Sequence, residues 1–170
     1  MQTTTLNLLS LRYNEARTYL VAALFILGNI ALPQLCHTVH LGGQTWLPIY
    51  FFTLVGAYKY GWRVGLLTAL LSPVANHLLF GMPALAALPA ILAKSSLLAL
   101  AAGYTAWRTR RCTITAMLAV VAFYQVVGSL IEWALTGSLY AAAQDFRIGL
   151  PGMLVQVVGG WAFVRFALRR

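Results

Sequence analysis

Residues 62–80 read Trp62-Arg63-Val64-Gly65-Leu66-Leu67-Thr68-Ala69-Leu70-Leu71-Ser72-Pro73-Val74-Ala75-Asn76-His77-Leu78-Leu79-Phe80. The only fixed charge sits at the start. Turns frame the run on both sides, Lys59-Tyr60-Gly61 before it and Gly81-Met82-Pro83 after it, each built from residues that turns prefer. A helix needs about 20 mostly apolar residues to cross a hydrocarbon core roughly 30 Å thick. This stretch meets that requirement and predicts a transmembrane helix.

The same test, carried outward from the two turns, predicts spans at Tyr19–Leu35, Trp46–Tyr58, Ala84–Trp107, Thr113–Thr136 and Ile148–Leu168. Trp46–Tyr58 is about one turn short, so it must lean on its neighbours or borrow from the loop before it. The expected fold is an all-α integral membrane protein, a six-transmembrane-helix bundle. Residues 1–18 form an N-terminal segment, 19–168 the bundle, and 169–170 a short end. No secretory signal is expected, because the first apolar run follows a polar start and ends in Pro33-Gln34-Leu35-Cys36 without a small-x-small cleavage site.

Composition agrees. Of the 170 residues, 61% are hydrophobic and 9% charged, too few charges to coat a water-facing surface. A net charge of +9 in a soluble domain points to nucleic acid. Here its placement points to lipid instead. Arg12 and Arg17, Lys59 and Arg63, Arg108, Arg110 and Arg111, and Arg165, Arg169 and Arg170 all fall at alternate span ends, ten of the twelve basic residues. The positive-inside rule then puts both termini in the cytoplasm. Trp46, Trp62, Trp107, Trp133 and Trp161 lie near span ends, where indole rings anchor at the interface. Cys36 and Cys112 fall at opposite ends of the bundle and read as free thiols.

Ionisable and amide side chains inside spans are costly, roughly 2.5–3.5 kcal/mol on insertion scales for a charge, and read as functional. Lys94 stands about ten residues into the fourth predicted span, roughly 15 Å deep. Gln125 and Glu132 share one face of the fifth, two turns apart, with Gly128 and Ser129 between them. Gln156 lies about 12 Å into the sixth. Asn76 and His77 occupy the outer turn of the third. All fall between the midplane and the outer end, which predicts a polar cavity open to the outside.

The loop from His37 to Thr45, with His40, Gln44 and Gly42-Gly43, would lie over its mouth as a lid, and Trp46 and Trp133 are placed to line it. Other roles stand beside these. Lys94 and Glu132 also suit a structural ion pair, Gln125 and Gln156 interhelical glue, and Asn76 a cap for backbone groups freed by a proline. No metal site is expected: His37, His40 and His77 carry imidazoles, but no cysteine or carboxylate cluster completes a ligand set. No cofactor is expected, and no enzyme, since Ser72, Ser95, Ser96 and Ser129 lack the flanking glycines of an intramembrane serine nucleophile.

Small residues form stripes at Gly61-x-x-x-Gly65-x-x-x-Ala69 and along Ala22, Ala23, Gly28 and Ala31, which predict close helix contact within the bundle or with a partner.

One region carries a family resemblance. Leu47-Pro48-Ile49-Tyr50, Gly61-Trp62-Arg63-Val64-Gly65-Leu66-Leu67, Ser72-Pro73-x-x-Asn76-x-x-Leu79-Phe80-Gly81-Met82-Pro83, Leu88-Pro89 and Lys94 together resemble the substrate-binding (S) components of energy-coupling factor (ECF) vitamin transporters. The resemblance implies a six-helix S component in a bacterial or archaeal cytoplasmic membrane, with a pocket near the outer face for a vitamin or vitamin precursor. It also implies a transmembrane coupling protein and two ATPases as partners, docking on Ala23, Gly28 and Ala31. The first span departs from the family's Ala-x-x-x-Ala stripe, with Ile26 four positions after Ala22 and Leu27 four after Ala23. No Walker A motif is present, so ATP-driven work would fall to those partners. A lysine at position 94, where relatives carry an acid, implies an anionic ligand held by Lys94, with Asn76, Gln125, Glu132 and Gln156 bonding the rest.

Overall fold

The computed structural model describes residues 9–38 and 40–168; Arg169 and Arg170, counted above among the basic residues, lie outside them. Helix α1 covers Ala16–Cys36 and α2 is a short helix at Gly42–Trp46. A 3₁₀ turn at Pro48–Tyr50 then leads into α3, Phe51–Tyr60. Next come α4, Trp62–Phe80, α5, Leu88–Thr109, and α6, Ile114–Thr136. Two short helices follow, α7 at Leu139–Ala142 and α8 at Gln144–Ile148, before the last long helix, α9, at Leu150–Ala167.

Five of these, α1, α4, α5, α6 and α9, are long and apolar enough to cross a membrane. By helix length and composition the chain is a multi-pass membrane protein. The outside is what lipid requires: Leu20, Leu24, Leu27, Leu78, Leu118, Phe123 and Phe166 are exposed apolar side chains.

The second expected span, Trp46–Tyr58, is not one continuous helix. Leu47 adopts a left-handed backbone at φ 47°, and Pro48 follows, so the chain breaks there and restarts. Residues 48–60 reach roughly 20 Å at 1.5 Å per residue, short of a full crossing. The deficit is made up by the preceding loop. The Leu47 carbonyl, 3.5 Å from Gln156 Nε2, lies at the depth of a residue well inside α9, and Gly152 admits the Trp46 backbone so closely that a Cβ would sit 2.5 Å from its carbonyl. Helix α3 is the most enclosed element, buried from Thr53 through Lys59 among α1, α4 and α5.

The small-residue stripe of α4 is spent inside the bundle. A Cβ on Gly65 would lie 2.4 Å from Ala57 Cβ of α3 and 3.1 Å from Ala99 Cβ of α5. Gly28 of α1, half-buried, likewise faces the Phe52 ring, at 2.8 Å from where its Cβ would be. Ala23 and Ala31 remain exposed.

The basic stretches gather at one end. Leu9 N–H donates to the Lys59 carbonyl and Leu11 N–H to that of Tyr60, at 2.8 and 3.1 Å. Tyr58 Oη donates to the Arg111 carbonyl at 2.6 Å. The Arg63 guanidinium stacks over Trp62, 4.6 Å from the ring centroid, and also faces Tyr13. Cys112, between α5 and α6, completes this end; burial pushes its thiol up to about 11, against a smaller opposing pull from Arg165. Gly61, at φ 97°, makes the tight turn from α3 to α4 that a residue with a Cβ would strain.

Candidate functional site

At the opposite end, α5 carries Lys94 inward. The helix begins at Leu88, with Pro89 in a first turn that needs no amide donors, so residues 84–87 stay outside it. Lys94 is therefore six residues into its helix, roughly 9 Å deep and nearer the outer end than the expected 15 Å. Its aliphatic stem lies against Gly128 of α6, where a Cβ would come within 2.5 Å of Lys94 Cγ. Glycine at 128 is what allows a lysine to pass between the two helices.

The ammonium donates to Glu132 Oε2 at 2.5 Å and to Asp145 Oδ2 at 2.8 Å, with side-chain exposures of 4% for Lys94, 20% for Glu132 and 12% for Asp145. The pairing of Lys94 with Glu132 is the structural ion pair the sequence allowed. Asp145, on α8, was not among the expected residues. The chain has only three acidic residues, Glu15 included, and that scarcity was the one sequence signal Asp145 gave. With all three groups charged, the cluster carries one surplus negative charge.

A second cluster lies deeper. Tyr124 Oη donates to Gln156 Oε1 at 2.7 Å and accepts from Gln125 Nε2 at 3.1 Å; Gln156 Nε2 reaches the Leu47 carbonyl. The Tyr50 ring packs against Tyr124 at 5.4 Å between centroids, and both tyrosines lie within electrostatic range of Asp145. Gln125 Oε1 is fully buried and has no hydrogen-bond partner, as is Ser95 Oγ beside Lys94. Tyr50 and Tyr124 were missed because a tyrosine in a span reads first as an anchor or as core.

Asn76 belongs to a third network. Its Nδ2 donates to the Asn29 carbonyl at 2.9 Å and to that of Ser72 at 3.0 Å, leaving Oδ1 buried and unpartnered. The Asn29 carbonyl is free because Pro33, four residues on, has no amide to offer it. Asn76 thus caps a proline defect, though one in α1 and not the Pro73 of its own helix. Asn29 in turn donates to Thr53 Oγ1 and Ser72 Oγ and accepts from Phe52 N–H, tying α1, α3 and α4 together.

The remaining expected residues do not gather at Lys94. His77 Nδ1–H donates to the Pro83 carbonyl at 2.8 Å and closes the α4–α5 turn. His40, Gln44, Trp46 and Trp133 are exposed. Gly42 and Gly43 serve close packing and not looseness: a Cβ on Gly42 would lie 1.9 Å from the Cys36 carbonyl oxygen, and one on Gly43 would strike the His37 ring. Among the described residues no group of three His, Cys, Asp or Glu side chains could hold a metal ion.

These features define a multi-helix membrane protein with an ionic cluster buried in one half of its bundle. Comparison with protein-family models, with curated proteins and with solved structures gives no match to the chain.

Proposed function

We propose that the chain is the membrane-embedded substrate-binding subunit of an ECF-type importer. It would capture a small vitamin-like molecule from the outer side and pass it on through a transmembrane coupling protein and two ATPases, performing no catalysis itself. Both termini would lie in the cytoplasm, with the basic end of the bundle inside. The observation that carries the reading is a set of buried polar atoms left without partners around the two clusters. Gln125 Oε1, midway along α6 beside the tyrosine pair, and Ser95 Oγ beside Lys94 each carry a cost that a ligand would relieve. The S-component resemblance of residues 47–103 supports the same function.

The ion pairs change the expected ligand. Lys94 is matched twice over by the chain's own carboxylates, so it offers no spare positive charge to an anion. A neutral or cationic molecule that donates hydrogen bonds suits the surplus negative charge and the unpartnered amide oxygen. The test is a binding screen of detergent-purified protein against neutral, cationic and anionic vitamins, with Gln125→Leu and Asp145→Asn as site variants. Saturable binding that both variants weaken supports the reading; binding indifferent to both removes it.

One feature favours a second reading, an accessory subunit without a ligand: Asn76 spends both of its amide donors within the chain, and Lys94 two of its three. A protein that binds nothing in the screen yet copurifies with a membrane complex would be that subunit.

A further inference from the structure

The basic end holds a cavity of about 680 Å³ that the reading above leaves unused. Its walls come from the N-terminal segment at Leu9 and Ser10, the start of α4 at Trp62 and Arg63, the last turns of α5 from Leu100 to Trp107, and Arg110 just beyond that helix. Along α5 that is a depth of roughly 15 Å, from the charged end toward the middle of the membrane. Leu100, Tyr104 and Trp107 are exposed, so the wall is apolar and faces lipid.

Two arginines stand at its outer margin. Arg63 lies over the Trp62 ring, and Arg110 Nε donates to the Trp107 carbonyl at 3.2 Å. Neither has a carboxylate within 4 Å among the described residues, where the ion pairs are both made by Lys94. A cleft that is cationic at the interface and apolar through the leaflet below it matches one kind of occupant. We propose that it holds one anionic phospholipid of the leaflet at the basic end, the phosphate between Arg63 and Arg110 and an acyl chain along Leu100 and Tyr104. Basic pockets between helices bind acidic headgroups in this way, each arginine contributing about 1 kcal/mol, or roughly fivefold in affinity. The inference does not depend on what binds at Lys94.

The test is native mass spectrometry of the full chain released from detergent with phosphatidylglycerol or phosphatidylcholine, with glycerol phosphate as a chain-free competitor. One phosphatidylglycerol should stay bound under activation that strips phosphatidylcholine. The pair R63Q/R110Q should weaken it by about 25-fold, and Leu100→Trp, which fills the cleft at unchanged charge, should also weaken it. Arg147→Gln at the other end should not. Equal retention of the two lipids overturns the proposal, as does undiminished retention in R63Q/R110Q. Glycerol phosphate competing as strongly as whole lipid would make this a phosphate site only. Tighter lipid binding after removal of residues 1–8 would make that segment the native occupant. Either result also overturns it.

Discussion

Replacing Lys94 with Met keeps the stem that packs on Gly128 and removes the charge that Glu132 and Asp145 share. The contacts of 2.5 and 2.8 Å, laid end to end, put the two carboxylate oxygens no more than 5.3 Å apart. At an effective dielectric of about 20, two negative charges at that distance repel by about 3 kcal/mol. Removing one member of a buried pair costs about 3–5 kcal/mol by mutational precedent, which brackets the same figure. Lys94→Met should therefore lose about 3–5 kcal/mol of stability, measured by circular dichroism during unfolding in mixed detergent micelles. The triple variant Lys94→Met, Glu132→Gln, Asp145→Asn should recover most of that loss, because it leaves no unpaired charge behind. A single variant as stable as the parent, or a triple no better than the single, would refute the ionic cluster as described.

Other outcomes follow from the packing. Asn76→Ala leaves the Asn29 carbonyl without a donor next to Pro33 and should cost about 1–3 kcal/mol in the same unfolding assay. Gly103→Ala drives a methyl to within 2.7 Å of the Trp62 backbone nitrogen, so α4 and α5 must part, with a loss of about 1–3 kcal/mol. Cys112, with its thiol raised from 9.0 to about 11, should hold about a hundredfold less thiolate at pH 8 than an unperturbed thiol, and its maleimide labelling should climb as pH rises toward 11. On intact cells an impermeant maleimide should reach the partly exposed Cys36 and spare Cys112; the reverse pattern would invert the proposed topology.

The long helices were legible because lipid imposes a length and a composition that residues 62–80 satisfy without help from packing. Trp62–Phe80 and the end of Thr113–Thr136 match the helices found, and Thr113 itself is the N-cap, accepting from Ala116 N–H at 3.1 Å. Residues 46–58 were harder, because Leu47's left-handed turn depends on how α2 folds back onto Gly149 and Gly152, which no local pattern encodes. Within the site, Lys94 and Glu132 were visible as charges in the wrong solvent. Asp145 was not, because a carboxylate between predicted spans looks solvated until α8 is seen to fold inward. Asn29 escaped notice for a related reason: its importance lies in the proline four residues later and in a partner on another helix.

The most direct test of the account is ligand-induced thermal stabilisation of the purified chain across vitamins of each charge class. A ligand at 100 times its Kd adds about 2.7 kcal/mol to the folded state, enough to raise Tm by several degrees. The account predicts such a rise with a neutral or cationic compound, and its loss in Gln125→Leu. A rise confined to anionic compounds, or none with any compound, would contradict it.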